Sequence, residues 1–222
     1  MYLLNAASCF SFTLLQDSYC VAYLWNRHNR SCQMMPRLLH SSELVNGECD
    51  YFVDDRCNTT SPACPSDFTI CLRSLRDRRF HISLKNQGWD AHSASCKSRS
   101  SELAEFPGNL EAAMRDYFPM FRSMLLQGMF NVRKCNKFGP TNIQCQPFIG
   151  AKRRAGIYYW VRNGSPMETT YNLPQVIPVF KRNLKDAICF NVGTSASLVK
   201  FRYDLKDQGP TFWQLGLCEC FL

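Results

Sequence analysis

The residues of this chain best suited to chemistry are its thirteen cysteines. Cysteines form disulfides in oxidising compartments, whereas in reducing ones their thiolates can hold zinc. Zinc sites typically use a Cys-x-x-Cys pair or paired histidines, and the sequence contains neither. The cysteines therefore predict disulfides in a secreted protein or one of the secretory lumen. Their odd number leaves at least one without an intramolecular partner.

Catalytic chemistry has little support in the sequence. Asp90 and His92 lie two residues apart at the start of a predicted helix, so their side chains do not share a face. No Gly-x-Ser-x-Gly elbow, His-Glu-x-x-His motif or phosphate-binding loop is present. We expect no enzymatic activity.

Charge divides the chain into two parts. Residues 1–60 contain four basic and six acidic side chains, whereas the remainder contains 22 basic and 12 acidic ones. The boundary lies in a short polar stretch with a proline, which is typical of a linker. Outside the cell, such a basic domain attracts anionic glycans and acidic proteins, while the compartment disfavours nucleic acid. The basic residues cluster in three places: Arg73, Arg76, Arg78 and Arg79; Lys152, Arg153 and Arg154; Lys181, Arg182 and Lys185.

The N-glycosylation sequons at Asn29 and Asn58 suit exposed segments of a secreted glycoprotein, whereas a third, at Asn163, is discounted because Pro166 follows it. Residues 1–15 are fairly apolar, but they lack a basic start and are interrupted by Asn5, so a signal peptide is not evident. We expect the true amino end to be missing. No stretch reaches the roughly 18 apolar residues that a membrane-spanning helix needs.

The first part of the chain predicts a helix followed by a hairpin. Residues 6–16 suit a helix, and residues 21–25 and 31–34 are β-prone runs joined by a polar turn. A domain of some 50 residues buries too little apolar surface to hold together without crosslinks. We therefore expect cysteine crosslinks in this part.

These residues resemble a PAN/apple domain over about residues 1–56. The matching portion is Cys9…Tyr19-Cys20-Val21-Ala22-Tyr23…Ser31-Cys32-Gln33-Met34. In that family a helix is stapled to a hairpin, which implies a Cys9–Cys32 bond here. The match is incomplete, because the second cysteine of the family's helix is replaced by Thr13 and Cys20 then lacks its usual partner.

The second part predicts two helices and a pair of strands. Trp89, Ser93 and Cys96 fall at helical spacing, and Asn109 is a suitable N-cap for a helix ending at Tyr117. Two strands follow, Phe148-Ile149-Gly150-Ala151 and Tyr158 to Met167, the second containing a tight Asn163-Gly164 turn.

In this order, these elements resemble the C-type lectin-like domain over about residues 64–220. Its members share a Cys-Pro start, a Trp…Ala…Cys helix followed by Leu-Ala, a Trp-Ile-Gly-Leu strand, a Trp-x-x-Gly-x-Pro turn and closing cysteines. The counterparts here are Cys64-Pro65, Trp89…Ala94…Cys96, Leu103-Ala104, Phe148-Ile149-Gly150-Ala151 and Trp160…Gly164-Ser165-Pro166.

The resemblance implies a disulfide-rich α+β fold with two helices, small antiparallel sheets and a long loop region. The expected organisation is a PAN/apple-like module at 1–56, a linker at 57–63 and the C-type lectin-like domain at 64–222. It implies the pair Cys64–Cys71, and a bond from Cys96 to Cys218 or Cys220, the other of which would close to Cys189. Two further pairs are expected: Cys135–Cys145 and Cys49–Cys57.

The resemblance also indicates where a calcium site would lie. Calcium needs about six to eight oxygen ligands, which the family takes from a Glu-Pro-Asn or Gln-Pro-Asp triplet and a Trp-Asn-Asp triplet. The counterparts here are Leu173-Pro174-Gln175 and Trp213-Gln214-Leu215, with Asp186 as the nearest acid between them. Because leucine replaces one oxygen donor in each triplet, we expect no calcium cofactor.

We therefore expect an extracellular recognition protein that binds a protein or an anionic glycan without calcium. The residues expected to contact the ligand are Asn172, Gln175, Lys152, Arg153, Arg154, Lys181 and Arg182. One alternative is a calcium-dependent, carbohydrate-binding lectin with a degenerate site around Asn172, Gln175, Asp186 and Gln214. Another is a structural matrix or adhesion component.

Overall fold

The described part of the chain forms thirteen strands and two helices. The computed structural model describes residues 21–40, 43–44, 49–54, 57–58, 61–85, 87–126, 136–137, 143–145, 147–155, 157–167, 187–194, 201–207 and 215–222. The helices are α1 (Trp89–Lys97) and α2 (Leu110–Leu126). The strands are β1 (Ala22–Asn26), β2 (Ser31–Met35), β3 (Cys49–Val53), β4 (Ile70–Leu72), β5 (Leu75–Ser83), β6 (Glu102–Leu103), β7 (Asn136–Lys137), β8 (Ile143–Cys145), β9 (Pro147–Arg154), β10 (Ile157–Trp160), β11 (Ala187–Thr194), β12 (Phe201–Asp207) and β13 (Leu215–Phe221). Neither helix is long and apolar enough to cross a membrane.

The predicted hairpin in the first part of the chain is confirmed. Strands β1 and β2 pair antiparallel, and β3, which sequence analysis did not predict, pairs with the other edge of β1. The side-chain oxygen of Asn26 accepts the N–H groups of His28 and Asn29, which stabilises the turn between β1 and β2. The predicted helix with Cys9 lies outside the described residues.

This small sheet shares a hydrophobic core with the second part of the chain. Val21 and Cys57 are buried in the same cluster as the aromatic residues of the main sheet and helix α2. The Leu38 N–H donates to the Thr69 carbonyl at 2.8 Å, and Arg79 Nη2 donates to the Cys57 carbonyl at 2.8 Å. The two parts therefore pack together through both apolar and polar contacts.

The main sheet has ten strands in the order β4-β5-β13-β9-β11-β8-β7, with β6, β10 and β12 paired to β13, β9 and β11. Strand β13 is antiparallel to β5 and β6 and parallel to β9. Together with the two helices, this arrangement confirms the expected mixture of helices and largely antiparallel strands.

Helix α1 is confirmed at the predicted position. It buries His92 and Cys96, which lie one turn apart, and Trp89 Nε1 donates to the Ile149 carbonyl at 2.8 Å. Helix α2 is much longer than the prediction of 109–117, because it continues through Pro119. A proline inside a helix removes one backbone hydrogen bond. The helix nevertheless continues beyond the proline, where three side chains are almost fully buried: Met120, Phe121 and Met124.

Three disulfides lie among the described residues, and they revise the predicted pairing. They join Cys57 to Cys71, Cys64 to Cys220 and Cys96 to Cys218. The bond of Cys96 to Cys218 is one of the two predicted alternatives. The predicted bond of Cys64 to Cys71 is wrong, because each of these cysteines has another partner.

Cys189 and Cys49 also depart from the predicted scheme, since both are thiols. Cys189 lies on β11, which strand β9 separates from β13, and two strand spacings of about 4.8 Å exceed the reach of a disulfide. Cys49 begins β3 and its thiol is exposed. Its predicted bond to Cys57 is wrong, because Cys57 is bonded to Cys71.

Two other predicted bonds fall partly outside the described residues. Cys32 is disulfide-bonded, but its predicted partner Cys9 is not described. Cys135, the predicted partner of Cys145, is also not described. Both pairings stay predictions.

We predict that replacing Cys96 and Cys218 together by alanine lowers the free energy of unfolding by about 2–5 kcal/mol, since this crosslink closes a long loop of the unfolded chain. Urea unfolding followed by tryptophan fluorescence measures the change. The matched control is Cys49→Ala, which removes an exposed thiol and is expected to change stability by less than about 0.5 kcal/mol. Equal losses in the two variants would contradict the prediction.

Candidate functional site

Of the residues expected to contact a ligand, the structure describes only three, Lys152, Arg153 and Arg154. The others lie outside the described residues: Asn172, Leu173, Pro174, Gln175, Lys181, Arg182, Asp186 and Gln214. The expected calcium positions therefore stay predictions. Within the described ranges, no group of three or more His, Cys, Asp or Glu side chains could hold a metal ion.

The three described cations occupy the end of the β9–β10 hairpin. Arg154 lies opposite Ile157, Arg153 opposite Tyr158 and Lys152 opposite Tyr159. Strand β10 alternates, because Tyr158 and Trp160 are buried whereas Ile157 is 63% exposed. The inward aromatic side chains fix the hairpin to the core, which leaves its tip at the protein surface.

The three cations differ in the contacts that they already make within the protein. Lys152 Nζ lies 2.7 Å from Asp90 Oδ1 and 4.1 Å from the centre of the Trp89 ring, so its charge is largely satisfied. The Arg153 guanidinium lies 5.9 Å from the Tyr158 ring centre, and Arg154 is exposed. In the described part of the chain, no carboxylate pairs with either arginine. Arg153 and Arg154 are therefore the better placed of the three for an anionic ligand.

The cluster at Arg73, Arg76, Arg78 and Arg79 is not a continuous basic surface. Arg79 is 3% exposed and donates to the backbone carbonyls of Cys57 and Arg78. Arg78 pairs with Glu219 at 3.0 Å, and Arg73 lies 3.5 Å from Asp54. These three arginines stabilise the fold, and only Arg76 of the cluster is exposed.

A buried charge network, absent from the sequence predictions, lies where β13, β6 and the turn after β10 meet. Arg162 Nη2 lies 2.8 Å from Glu219 Oε1, and Arg78 Nη1 lies 3.0 Å from Glu219 Oε2. The Arg162 backbone N–H donates to Glu105 Oε1 at 2.6 Å. An acidic residue between two cysteines in an otherwise apolar strand was the available signal, since a buried carboxylate requires partners.

Burial controls the ionisation of this network. Desolvation raises the pKa of Glu105 to about 7, against the opposing effects of the Arg162 N–H and guanidinium. Burial also raises the pKa of Glu219, although Arg162 and Arg78 favour its charged form. The exposed ring of Phe221 lies between the two guanidinium groups, with its centre 5.0 Å from that of Arg78 and 4.8 Å from that of Arg162.

A cleft of about 370 Å³ lies between the first part of the chain and the start of the second. Its walls are mainly apolar, and at its edge His40 Nε2 lies 3.1 Å from Ser66 Oγ. The lining residues are Leu38, Leu39, His40, Ser61, Cys64, Pro65, Ser66, Phe68, Thr69, Arg79 and Leu222. Asp90 and His92, considered above for catalysis, are not brought together, since Asp90 pairs with Lys152 while His92 is fully buried beside Gln87.

No protein-family model matches the chain, and no curated protein matches it. Among solved structures, the chain is similar to TC14, a C-type lectin from the tunicate Polyandrocarpa misakiensis. The two sequences are 18% identical, and the TM-score is 0.37. The match covers 66% of this chain and 99% of that chain.

We predict that Glu219→Ala lowers the free energy of unfolding by about 3 kcal/mol, because it leaves Arg78 and Arg162 without their shared carboxylate. Because Arg162 is partly exposed, the loss is smaller than for a fully buried ion pair. The control, Glu111→Ala, removes an exposed pair with Arg115 and is expected to cost under about 0.5 kcal/mol. Chemical denaturation measures both values, and equal stabilities of the two variants would contradict this account.

Proposed function

We propose that this protein is a secreted or cell-surface recognition protein with a C-type lectin-like domain, which binds an acidic protein or an anionic glycan without calcium. In this proposal, residues 1–56 form a PAN/apple-like module, residues 57–63 form a linker and residues 64–222 form the recognition domain. Glycans on Asn29 and Asn58, which are both exposed, suit the same compartment.

The single observation that best supports the proposal is the bond of Cys96 to Cys218, which fixes the first helix to the closing strand. It is one of the two connections that the sequence resemblance implies. The resembling motifs lie on neighbouring elements. Phe148-Ile149-Gly150-Ala151 forms most of the buried part of β9, and β9 pairs with both β10 and β13. After Trp160 the chain turns back, and Pro166 forms an antiparallel β-bridge with Tyr159.

The disulfides favour an oxidising compartment. A binding role there depends on the side chains exposed at the protein surface. Arg153 and Arg154 supply positive charge at the tip of a hairpin that is anchored by Tyr158 and Trp160. A rigid, cationic tip attracts anionic partners by long-range electrostatics and loses little freedom on binding. Both residues are therefore assigned to the proposed contact surface.

We predict that the oxidised protein is retained on immobilised heparin, and that Arg153→Ala/Arg154→Ala elutes at clearly lower salt. The reason is that the pair supplies the part of the hairpin charge that no described carboxylate neutralises. EDTA is expected to leave the retention unchanged. Gradient elution in sodium chloride, with and without EDTA, measures both effects.

The matched control is Arg76→Ala/Lys85→Ala, which removes the same charge from exposed positions on or next to β5. It is expected to elute close to the unmodified protein. Equal shifts in the two double variants would indicate nonspecific attraction and contradict the assignment of Arg153 and Arg154. Release by EDTA would instead indicate a calcium-dependent lectin.

A further inference from the structure

We propose that Glu105 and Arg162 form a pH-dependent latch, which holds the turn of residues 161–166 to the closing strand more firmly below neutral pH than above it. This inference does not depend on the ligand of the protein. It assigns a role to a buried network that the proposed binding surface does not use.

Backbone contacts hold the turn to β9 and β10, whereas Arg162 connects it to β6 and β13. Internally, the Trp160 N–H donates to the Ser165 carbonyl and the Gly164 N–H to the Trp160 carbonyl, both at 2.9 Å. Gly164 has a φ of 68°, a left-handed conformation that favours glycine and permits this tight return. The Val161 N–H donates to the Gly150 carbonyl on β9, and Pro166 forms a β-bridge with Tyr159 on β10.

Arg162 connects the turn to two other elements. Its backbone N–H donates to Glu105 Oε1, which follows β6, and its guanidinium pairs with Glu219 on β13. The same guanidinium lies 3.4 Å from Glu102 and packs on the exposed ring of Phe221. Loosening Arg162 would therefore release the turn from both β6 and β13.

Glu105 is almost completely shielded from water while Arg162 is in place. The residue is 3% exposed, and a side chain on the underlying Gly150 would place its Cβ only 2.7 Å from the Leu103 carbonyl oxygen. Within the described ranges Glu105 Oε2 has no hydrogen-bond partner, and Arg162 Nε lies 3.9 Å from it. A carboxylate held in this way is costly to ionise.

The charges that face Glu105 are unbalanced when it is ionised. Among the described residues, Glu102 on β6, Glu219 on β13 and Glu105 itself then oppose two cations, Arg162 and Arg78 on β5. Strand β9 adds only the uncharged Gly150, and Asp77 beside Arg78 is largely exposed. Protonation of Glu105 leaves two carboxylates, Glu102 and Glu219, facing two guanidinium groups. Its Oε1 still accepts the Arg162 N–H.

The direction of the pH effect follows from linkage. Burial raises the pKa of Glu105 from its ordinary value of 4.5 to about 7. Its contribution to closure is fully present below pH 4.5 and is lost as the pH rises through 7. Above pH 7, opening of the turn lets water solvate the carboxylate.

Hydrogen exchange of the Arg162 amide tests the latch directly. After correction for intrinsic exchange rates, the opening equilibrium is expected to rise about 25-fold between pH 5.5 and pH 8.0, as the shift of the Glu105 pKa from 4.5 to about 7 requires. In Glu105→Gln, which cannot ionise, that rise should disappear. The matched control, Glu111→Gln, removes an exposed carboxylate and should retain the rise.

Carbon NMR of the Glu105 carboxyl group in the unmodified protein gives a second readout that needs no variant. Titration with a midpoint near pH 7 supports the latch. A midpoint near 4.5, or a Glu105→Gln variant whose opening depends on pH as strongly as that of the unmodified protein, would overturn it.

Discussion

The rest of the structure depends on the pairing of β13 with three other strands, and on the alternation of side chains along it. Leu215 and Leu217 face the main core, and the same face continues at Glu219 into the buried charge network. Cys218 and Cys220 lie on the other face, where they bond to Cys96 and Cys64. A strand of seven residues thus supplies core packing, crosslinks and a polar connection, because successive side chains point to opposite faces.

This arrangement separates a rigid framework from the surfaces available for recognition. Two disulfides and the pairing with β5, β6 and β9 fix the closing strand, while the β9–β10 hairpin extends to an exposed tip with Arg153 and Arg154. The turn beyond β10 is connected to β6 and β13 through Arg162. We infer that the tip provides a preorganised contact and that the turn is the element whose position can change.

Local patterns predicted the local elements. The spacing of Trp89 and Cys96 placed α1, and the polar turn between two β-prone runs placed β1 and β2. The sequence could not place what depends on distant partners. Disulfide pairing follows from the strand order, which puts β9 between Cys189 and the closing strand. Likewise, the burial of Arg79 depends on the distant Cys57, whose carbonyl accepts its guanidinium, and α2 passes Pro119 because the residues beyond the proline are buried.

Disulfide mapping of the native, oxidised protein tests the central position of β13 most directly. Proteolysis without reduction, followed by mass spectrometry, identifies which cysteine peptides are joined. The account predicts linked peptides for Cys96 with Cys218, Cys64 with Cys220 and Cys57 with Cys71. Peptides that join Cys64 to Cys71, or Cys189 to either terminal cysteine, would contradict the strand order on which the fold, the charge network and the latch all depend.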